Sequence, residues 1–446
     1  MTISVIETNP YRSDYVMNKV VIVSGCRTAV GTFGGALKDV PVVDLGATVL
    51  RETLEKVGLR PVKGQDFQQT VPKKLKDQEE LPMEKKYAKW DSQARAIAID
   101  EVIMGNVLQA GQGQNPARQA MIRAGICKET PACGVNKVCG SGLKAIALGA
   151  QSIMTGQADV VLAGGQENMS QVPMGLMKGR WGYRMEISGV GEVRDLMVYD
   201  ALYEIFYGYH MGVTAENIAE KYKISREDQD KLACLSHARA MEGINNGYFA
   251  DEIVPVAVAS RKGEIIVDRD ERPMVTDMEK LARLRPVFKK DGTVTAGNAS
   301  GINDGAAAVL LMSEKKAKQL DLKPLLTIES FASGGVDPAY MGLGPVPAIN
   351  RALQQAKMTI NDMETIELNE AFASQAIGCM LELGIDVEKP NQLGSAISMG
   401  HPVGCTGARQ MITTLNQMQR NNHATGLISM CIGGGMGMAM VVSNNR

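Results

Sequence analysis

Five short stretches hold side chains that can do chemistry. In NKVCGSGLKAI, Asn136 to Ile146, Cys139 stands at a strand-to-helix junction with Gly140 and Gly142 just behind it. A free cysteine most often packs as a small hydrophobe, and its alternative is a nucleophile. In MGHPVGCTG, Pro402 fixes the backbone beside His401 while Gly400, Gly404 and Gly407 permit a tight turn. Such an imidazole is either held by backbone or titrates near neutrality as a proton acceptor. Cys431, in SMCIGGGMG, ends an apolar run, and Gly433 to Gly435 leave backbone N–H groups free to form an anion-binding nest. ELNEAFA puts Asn369 and Glu370 between an apolar strand and a small-residue helix start, where Asn369 is either a helix cap or a polar group with a ligand to meet. GYHMG carries His210 between glycines and is equally ambiguous alone.

The chain that must position these groups has 446 residues, enough for two or three domains or a duplicated core. Its 48 basic and 49 acidic side chains give a net charge of −1, without the basic excess that nucleic-acid or anionic-membrane binding requires. The 8 cysteines are scattered singly, which fits reduced thiols and no metal site. No apolar stretch is long enough to span a membrane, and the N-terminus lacks a signal-like apolar region. A cytoplasmic location is expected, without nucleic-acid or membrane partners.

A βα rhythm opens at Lys19 with KVVIVSGCRT and the helical spacing of VVDLGATVLRETLEKVG. Residues 1–18 read as an N-terminal arm. Residues 61–100 are charged in both signs and poor in core residues, a surface insertion. EVIMGNVLQAGQGQNPARQAMIRAG resumes strand, turn and helix, the helix beginning near Asn115 and Pro116. Leu143, Ile146, Ala147, Ala150 and Met154 make a helix stripe, and ADVVLAGG follows as a buried strand. Residues 166–286 read as an inserted, ligand-covering loop domain with a charged loop at Arg269 to Arg272. Its His237, like His423 further on, reads as a surface histidine. The first half thus covers 19–322 and a second βα series runs over 323–446. A turn, helix, strand and glycine cluster recur in both, so a duplicated α/β core is inferred.

NKVCGSGLKAI, AGGQENMS, GYHMGVTAEN, TAGNASGINDGAA, NEAFA, GHPVGCTGAR and CIGGGMG, in this order, resemble the motif set of the thiolases. Within that family the chain is most similar to the acetyl-CoA acetyltransferases. The resemblance implies a thiolase fold: duplicated α/β halves in a five-layered α-β-α-β-α sandwich, with an inserted loop domain and assembly as a homodimer or homotetramer. It implies reversible condensation of two acetyl-CoA to acetoacetyl-CoA and CoA, in fatty acid metabolism. The coenzyme A thioesters are substrates, and no cofactor is implied.

By motif position Cys139 would carry the acetyl group, with a helix N-terminus favouring its thiolate. His401 would accept its proton, and Cys431 would move the α-proton of the second acetyl-CoA. Asn369 would hold a water that, with His401, stabilises the enolate. The backbone N–H groups of Cys139 and Gly433 would form the other oxyanion hole. His210, Met211 and Ser300 would line the pantetheine channel, and Arg272 is a candidate for the 3′-phosphate of CoA or else a solvated arginine. The family's NGGAI reads LGSAI here, with Ser395 adding bulk near a tight turn. Two other readings stand beside this one: a degradative 3-ketoacyl-CoA thiolase for longer chains, and a non-catalytic scaffold.

Overall fold

Aliphatic runs supply the strands, and turns marked by proline or glycine start the helices. The computed structural model describes residues 17–76, 78–185, 191–261 and 263–444, so the expected arm lies outside the described residues except at Met17 and Asn18. The first half contains β1 (Val20–Arg27), α1 (Val42–Glu55), β2 (Glu101–Gly105), α2 (Pro116–Arg123), β3 (Ala132–Val135), α3 (Ser141–Met154) and β4 (Val160–Asn168). The inserted segment contributes α4 (Met211–Tyr222) and α5 (Arg226–Asn245) before β5 (Asn303–Ser313) completes that half. The second half runs through β6 (Leu326–Gly335), α6 (Pro345–Ala356), β7 (Thr365–Leu368), α7 (Ala373–Leu383), α8 (Thr406–Asn421), β8 (Thr425–Ile432) and β9 (Met436–Asn444).

The strands lie in the order β7-β8-β9-β6-β1-β5-β4-β2-β3. The junction between halves is thin: β1 and β6 pair only at Val21 with Thr327 and Ile22 with Leu326. Outward from it the halves repeat. β1, β5 and β4 are antiparallel neighbours, as are β6, β9 and β8, and a parallel strand follows in each half, β2 or β7. By this correspondence α3 in the first half matches α8 in the second, and each leads into the last antiparallel strand.

Alternate strand residues point to opposite faces, and here that alternation builds the layers. Val21, Val23, Leu162 and Leu310 pack outward with Leu45, Val49, Leu50 and Met121 of α1 and α2. Ile22, Val161, Val309 and Leu311 face inward, where they share one core with Leu143, Ile146, Met411 and Ile412 and with Ile428, Met430, Met438 and Met440 of the other half. Leu427, Ala439 and Val441 turn outward again, against Ile349, Leu353, Ala376 and Met380 of α6 and α7. Helix, sheet, a helix layer shared by α3 and α8, sheet and helix follow in turn, as the duplicated pattern implies.

The inserted segment packs more deeply than a ligand cover requires. The α4 and α5 helices lie on α7 of the second half, with the Ser374 hydroxyl donating to the Ala215 carbonyl at 2.9 Å. Arg27 at the end of β1 donates to Asp270 at 2.7 and 2.9 Å and to Glu252 at 2.8 Å, all three buried. The stretch read as a charged loop therefore contains an interior anchor. The β4 strand continues through Gln166 and Glu167 to Asn168, so the first residues assigned to the insertion are central strand. The 61–100 stretch is mostly exposed but docked at several points, with Ile97 and Ile99 in the first-half core and Lys63 against Glu129. Glu84 meets Lys128, and the Trp90 indole donates to the Gly125 carbonyl at 2.9 Å beneath the Arg51 guanidinium.

At the centre, α3 and α8 approach until backbone touches backbone. A Cβ on Gly407 would stand 2.6 Å from the Leu143 nitrogen, and one on Gly142 would stand 2.9 Å from the Gly404 oxygen. Gly407→Ala therefore forces the two helices apart. It should cost about 2 kcal/mol, the ordinary penalty for overpacking, read as a lower denaturant midpoint at unchanged slope.

Candidate active site

Cys139 sits where the sequence expects it, in the turn between β3 and α3. That turn is tied to itself: the Val138 N–H donates to Asn136 Oδ1 at 3.0 Å, and the Ser141 hydroxyl donates to the Val138 carbonyl at 2.6 Å while accepting from the Lys137 N–H at 2.9 Å. These bonds hold Val138 at φ 47°, a left-handed conformation that β-branched residues avoid. The strain, about 1–3 kcal/mol, presents the next residue at the start of the helix. Gly140 has no side chain because Ile432 fills that space; a Cβ there would stand 2.3 Å from Ile432 Cδ1. The nucleophile turn thus packs on the end of β8, which carries Cys431.

Cys139 keeps some accessible surface, yet burial pushes its thiol up to about 11. The N–H groups of Gly433 and of Cys139 itself pull the other way, and the Glu167 charge adds to the rise. The expectation of a thiolate set by the helix N-terminus is therefore corrected: desolvation outweighs the backbone donors, and the resting group is the thiol. Cys431 is 1% exposed, and burial followed by the neighbouring Cys139 holds its thiol well above the usual range. The turn after Cys139 packs on Ile432, the residue next to Cys431.

His401 is buried, and burial then Arg409 hold its imidazole down to about 4. Its tautomer follows from its neighbours. The Thr406 hydroxyl donates its single proton to the Pro402 carbonyl at 3.0 Å, so toward His401 Nδ1, 2.7 Å away, it accepts. Nδ1 carries the proton, and Nε2, which has no protein partner, presents a lone pair. The His401 N–H donates to Asn303 Oδ1 at 2.9 Å, and Asn303 in turn donates to the Gly31 carbonyl. Gly400, at φ 102°, lies against that asparagine, 2.4 Å from its Cγ to any added Cβ.

Asn369 is fully buried, and neither atom of its amide has a protein partner. It does not cap α7, whose N-cap is Phe372. Its N–H donates to the Ser429 carbonyl two residues before Cys431, which brings NEAFA beside the second thiol. The Ser300 N–H donates to the Ala371 carbonyl, joining NASG to the same loop. Met211 packs with Phe372, Ala299 and Cys431 in one cluster, and Cys139 packs against the cluster that contains Val403. His210 caps α4 by accepting from the Gly212 N–H at 3.0 Å and stacks on Phe288 at 4.6 Å. These contacts join the segments that carry all eight sequence-derived positions, Gly433 included.

Four readings change. His237 is buried, 2% exposed, where it accepts from the Met274 N–H at 3.4 Å; α5 packs on both sides, so its polar sequence context misled. His423 is half-buried beside the Thr365 hydroxyl at 2.8 Å. Arg272 is half-buried rather than solvated, and gives two of its five N–H donors to the Ile397 and Ala299 carbonyls at 2.7 and 3.0 Å, which ties it beneath the NASG loop. Ser395 has φ −141°, extended backbone open to any residue, and accommodates its side chain fully buried. Sequence reasoning missed Thr406, Asn303 and Val138, although each stands inside a motif already quoted.

No group of three or more metal-ligating side chains occurs among the described residues. None of their helices is long and apolar enough to cross a membrane. The arrangement offers two protonated thiols, one neutral imidazole with a bare Nε2, and an unengaged amide. That set suits transfer of an acyl group onto sulfur with the proton leaving to nitrogen. Iodoacetamide modification of Cys139 should accordingly be slow at neutrality and quicken about ten-fold per pH unit between about pH 7 and about pH 9; a preformed thiolate would give a flat profile. Thr406→Val should free the imidazole tautomer and lower kcat about ten-fold, the equivalent of one hydrogen bond of ~1.4 kcal/mol, with the fold intact by circular dichroism.

A family model described as thiolase, N-terminal domain, matches residues 20–79 and 87–315, and one described as thiolase, C-terminal domain, matches 322–444. The chain is 49% identical over 426 residues to the acetyl-CoA acetyltransferase of Syntrophomonas wolfei subsp. wolfei, covering 95% of this chain and 98% of that one. It is 50% identical over 433 residues to a probable acetyl-CoA acyltransferase of Staphylococcus aureus, covering 96% and 100%. Among solved structures, the Bacillus anthracis acetyl-CoA acetyltransferase superposes with a TM-score of 0.85 at 40% identity over 97% of this chain and 100% of that one. Human mitochondrial 3-ketoacyl-CoA thiolase does so with 0.84 at 37% identity, over 96% and 100%.

Proposed function

The chain belongs to the thiolase family, and from that premise we propose how its own residues carry the reaction. It is an acetyl-CoA C-acetyltransferase, catalysing the reversible condensation of two acetyl-CoA to acetoacetyl-CoA and CoA. In the first step the Cys139 sulfur attacks the acetyl carbonyl, His401 Nε2 takes the thiol proton, and the departing CoA thiolate receives it. An acetyl-cysteine remains. In the second step the Cys431 thiol first gives its proton to His401 Nε2, and the α-proton of another acetyl-CoA then moves to the Cys431 thiolate. The enolate attacks the acetyl-cysteine, and the Cys139 thiolate released as the carbon–carbon bond closes recovers the proton held on His401 Nε2.

The raised Cys431 thiol makes its thiolate a strong base in this direction and keeps it a ready proton donor in the reverse. His401, protonated at Nε2 at this stage, stabilises the enolate oxygen together with a water held by Asn369, and the N–H groups of Cys139 and Gly433 stabilise the tetrahedral oxyanion. His210, Met211 and Ser300 border the path of the pantetheine arm. No cofactor takes part in these steps. The observation that carries this reading is that His401 Nε2 and the Asn369 amide are buried without a protein partner on segments joined to the turns that carry the two cysteines.

A reading as a thiolase for longer 3-ketoacyl chains is favoured by one observation, the near-equal superposition on human mitochondrial 3-ketoacyl-CoA thiolase. Rates on acetoacetyl-CoA against longer 3-ketoacyl-CoA substrates separate the two. Assembly as a homodimer or homotetramer is supported by the outer edge of β3, which leads directly to Cys139, and by the exposed Met174, Leu176 and Trp181. A cytoplasmic role in fatty acid metabolism completes the proposal.

Intact-mass measurement after incubation with acetyl-CoA tests the mechanism. Wild type should gain one acetyl group, Cys139→Ala none, and Cys431→Ala should gain it while losing condensation. An unacetylated wild type without turnover would leave the scaffold reading standing instead.

A further inference from the structure

Glu167 ends β4 as a fully buried carboxylate that no step above employs. Its Oε1 accepts from Asn106 Nδ2 at 2.7 Å and from the Leu108 N–H at 3.2 Å. Its Oε2 accepts from the Val107 N–H at 3.0 Å and from the Gly404 N–H at 3.1 Å. Three of these donors belong to the loop after β2 and the fourth to the turn that carries His401. The loop after β2 leads straight to the nucleophile: the Asn106 N–H donates to the carbonyl of Val135, the last residue of β3, and Val107 and Leu108 pack in one cluster with Cys139. One carboxylate thus bonds the support of the thiol in the first half to the histidine turn in the second.

Packing makes the clasp exacting. A Cβ on Gly404 would stand 2.9 Å from Glu167 Oε2 and 3.1 Å from Asn106 Cα, and one on Gly165 would stand 2.1 Å from the Gly404 oxygen. The His401 turn cannot slide without breaking a bond or meeting backbone. Burial raises the Glu167 carboxyl to about 7 against the pull of these donors, and in its ionised form the group has acceptor sites for all four and no proton of its own to oppose them.

We infer that Glu167 is a positioning residue, setting the register of the His401 turn against the Cys139 turn through its four N–H bonds. The inference rests on the reading that Cys139 is acylated and His401 takes its proton. Proton transfer demands near-attack geometry, and a misplacement of about 1 Å can cost about 100-fold in rate. Glutamine at this position would turn an amide donor toward two of the N–H groups and leave shape almost unchanged, so it isolates the charge and acceptor pattern.

The test compares wild type, Glu167→Gln and Asn106→Ala by steady-state condensation, by the rate of Cys139 acetylation followed by mass, and by thermal unfolding. In folded Glu167→Gln protein, kcat and the acetylation rate should both drop about 100-fold while KM stays within about three-fold. Asn106→Ala, which removes one donor and leaves the carboxylate, should lose about ten-fold in the same two quantities. A purely structural role would lower the unfolding temperature and leave kcat per folded molecule unchanged, and that result overturns the inference. Should Glu167→Gln not fold, Asn106→Ala decides, and a wild-type acetylation rate in it overturns the inference as well. Wild type that fails to acetylate overturns the functional reading itself, which keeps the two failures apart.

Discussion

Backbone meets backbone at the centre of this molecule, and every other arrangement follows from that approach. Gly142, Gly165, Gly404 and Gly407 leave no room for a single methyl group between α3, β4 and α8. The helix starts that carry Cys139 and His401 can share one site only because these positions lack side chains. The surrounding layers are conventional by comparison. Their apolar residues alternate as strands dictate and would pack over a range of helix positions; the glycines select one.

A second constraint is electrical. Every group proposed for chemistry is held in its neutral form by burial, with thiols pushed up and the imidazole pushed down. A charge separated at rest in so enclosed a place would be expensive. The site instead keeps its donors fixed and lets charge appear only as the reaction proceeds, when backbone N–H groups, His401 and Asn369 are already in place to meet it. Strain at Val138 belongs to the same scheme, since it is tolerated where the turn around it over-determines the backbone.

Much of this was legible in the sequence. The strand runs of β1, β2 and β4, the helix start at Asn115 and Pro116, and the Cys139 junction all follow from periodicity and local turn chemistry, which act over a few residues. The repeated order of turn, helix, strand and glycines announced the duplication. What stayed hidden depends on partners distant in the chain. His237 reads as a surface residue until Met274 and α5's neighbours cover it, and a solvated Arg272 is excluded only once Ile397 and Ala299 take two of its donors. Asn303 was visible inside a quoted motif, yet only the folded chain puts it under His401. Acidity was the least legible property, because the local dipole at α3 suggests a thiolate and the enclosing layers decide for a thiol.

The thin seam between the halves, two paired positions between β1 and β6, has a consequence in time. Cys139 is made long before His401, and the two come together only through a contact of very high sequence separation, the slow kind in folding. A chain emerging from synthesis therefore holds its thiol without its base until the second half has docked. Acyl transfer arrives only with completion of the fold, so an unfinished or truncated molecule lacks the thiol–imidazole pair that the reaction needs.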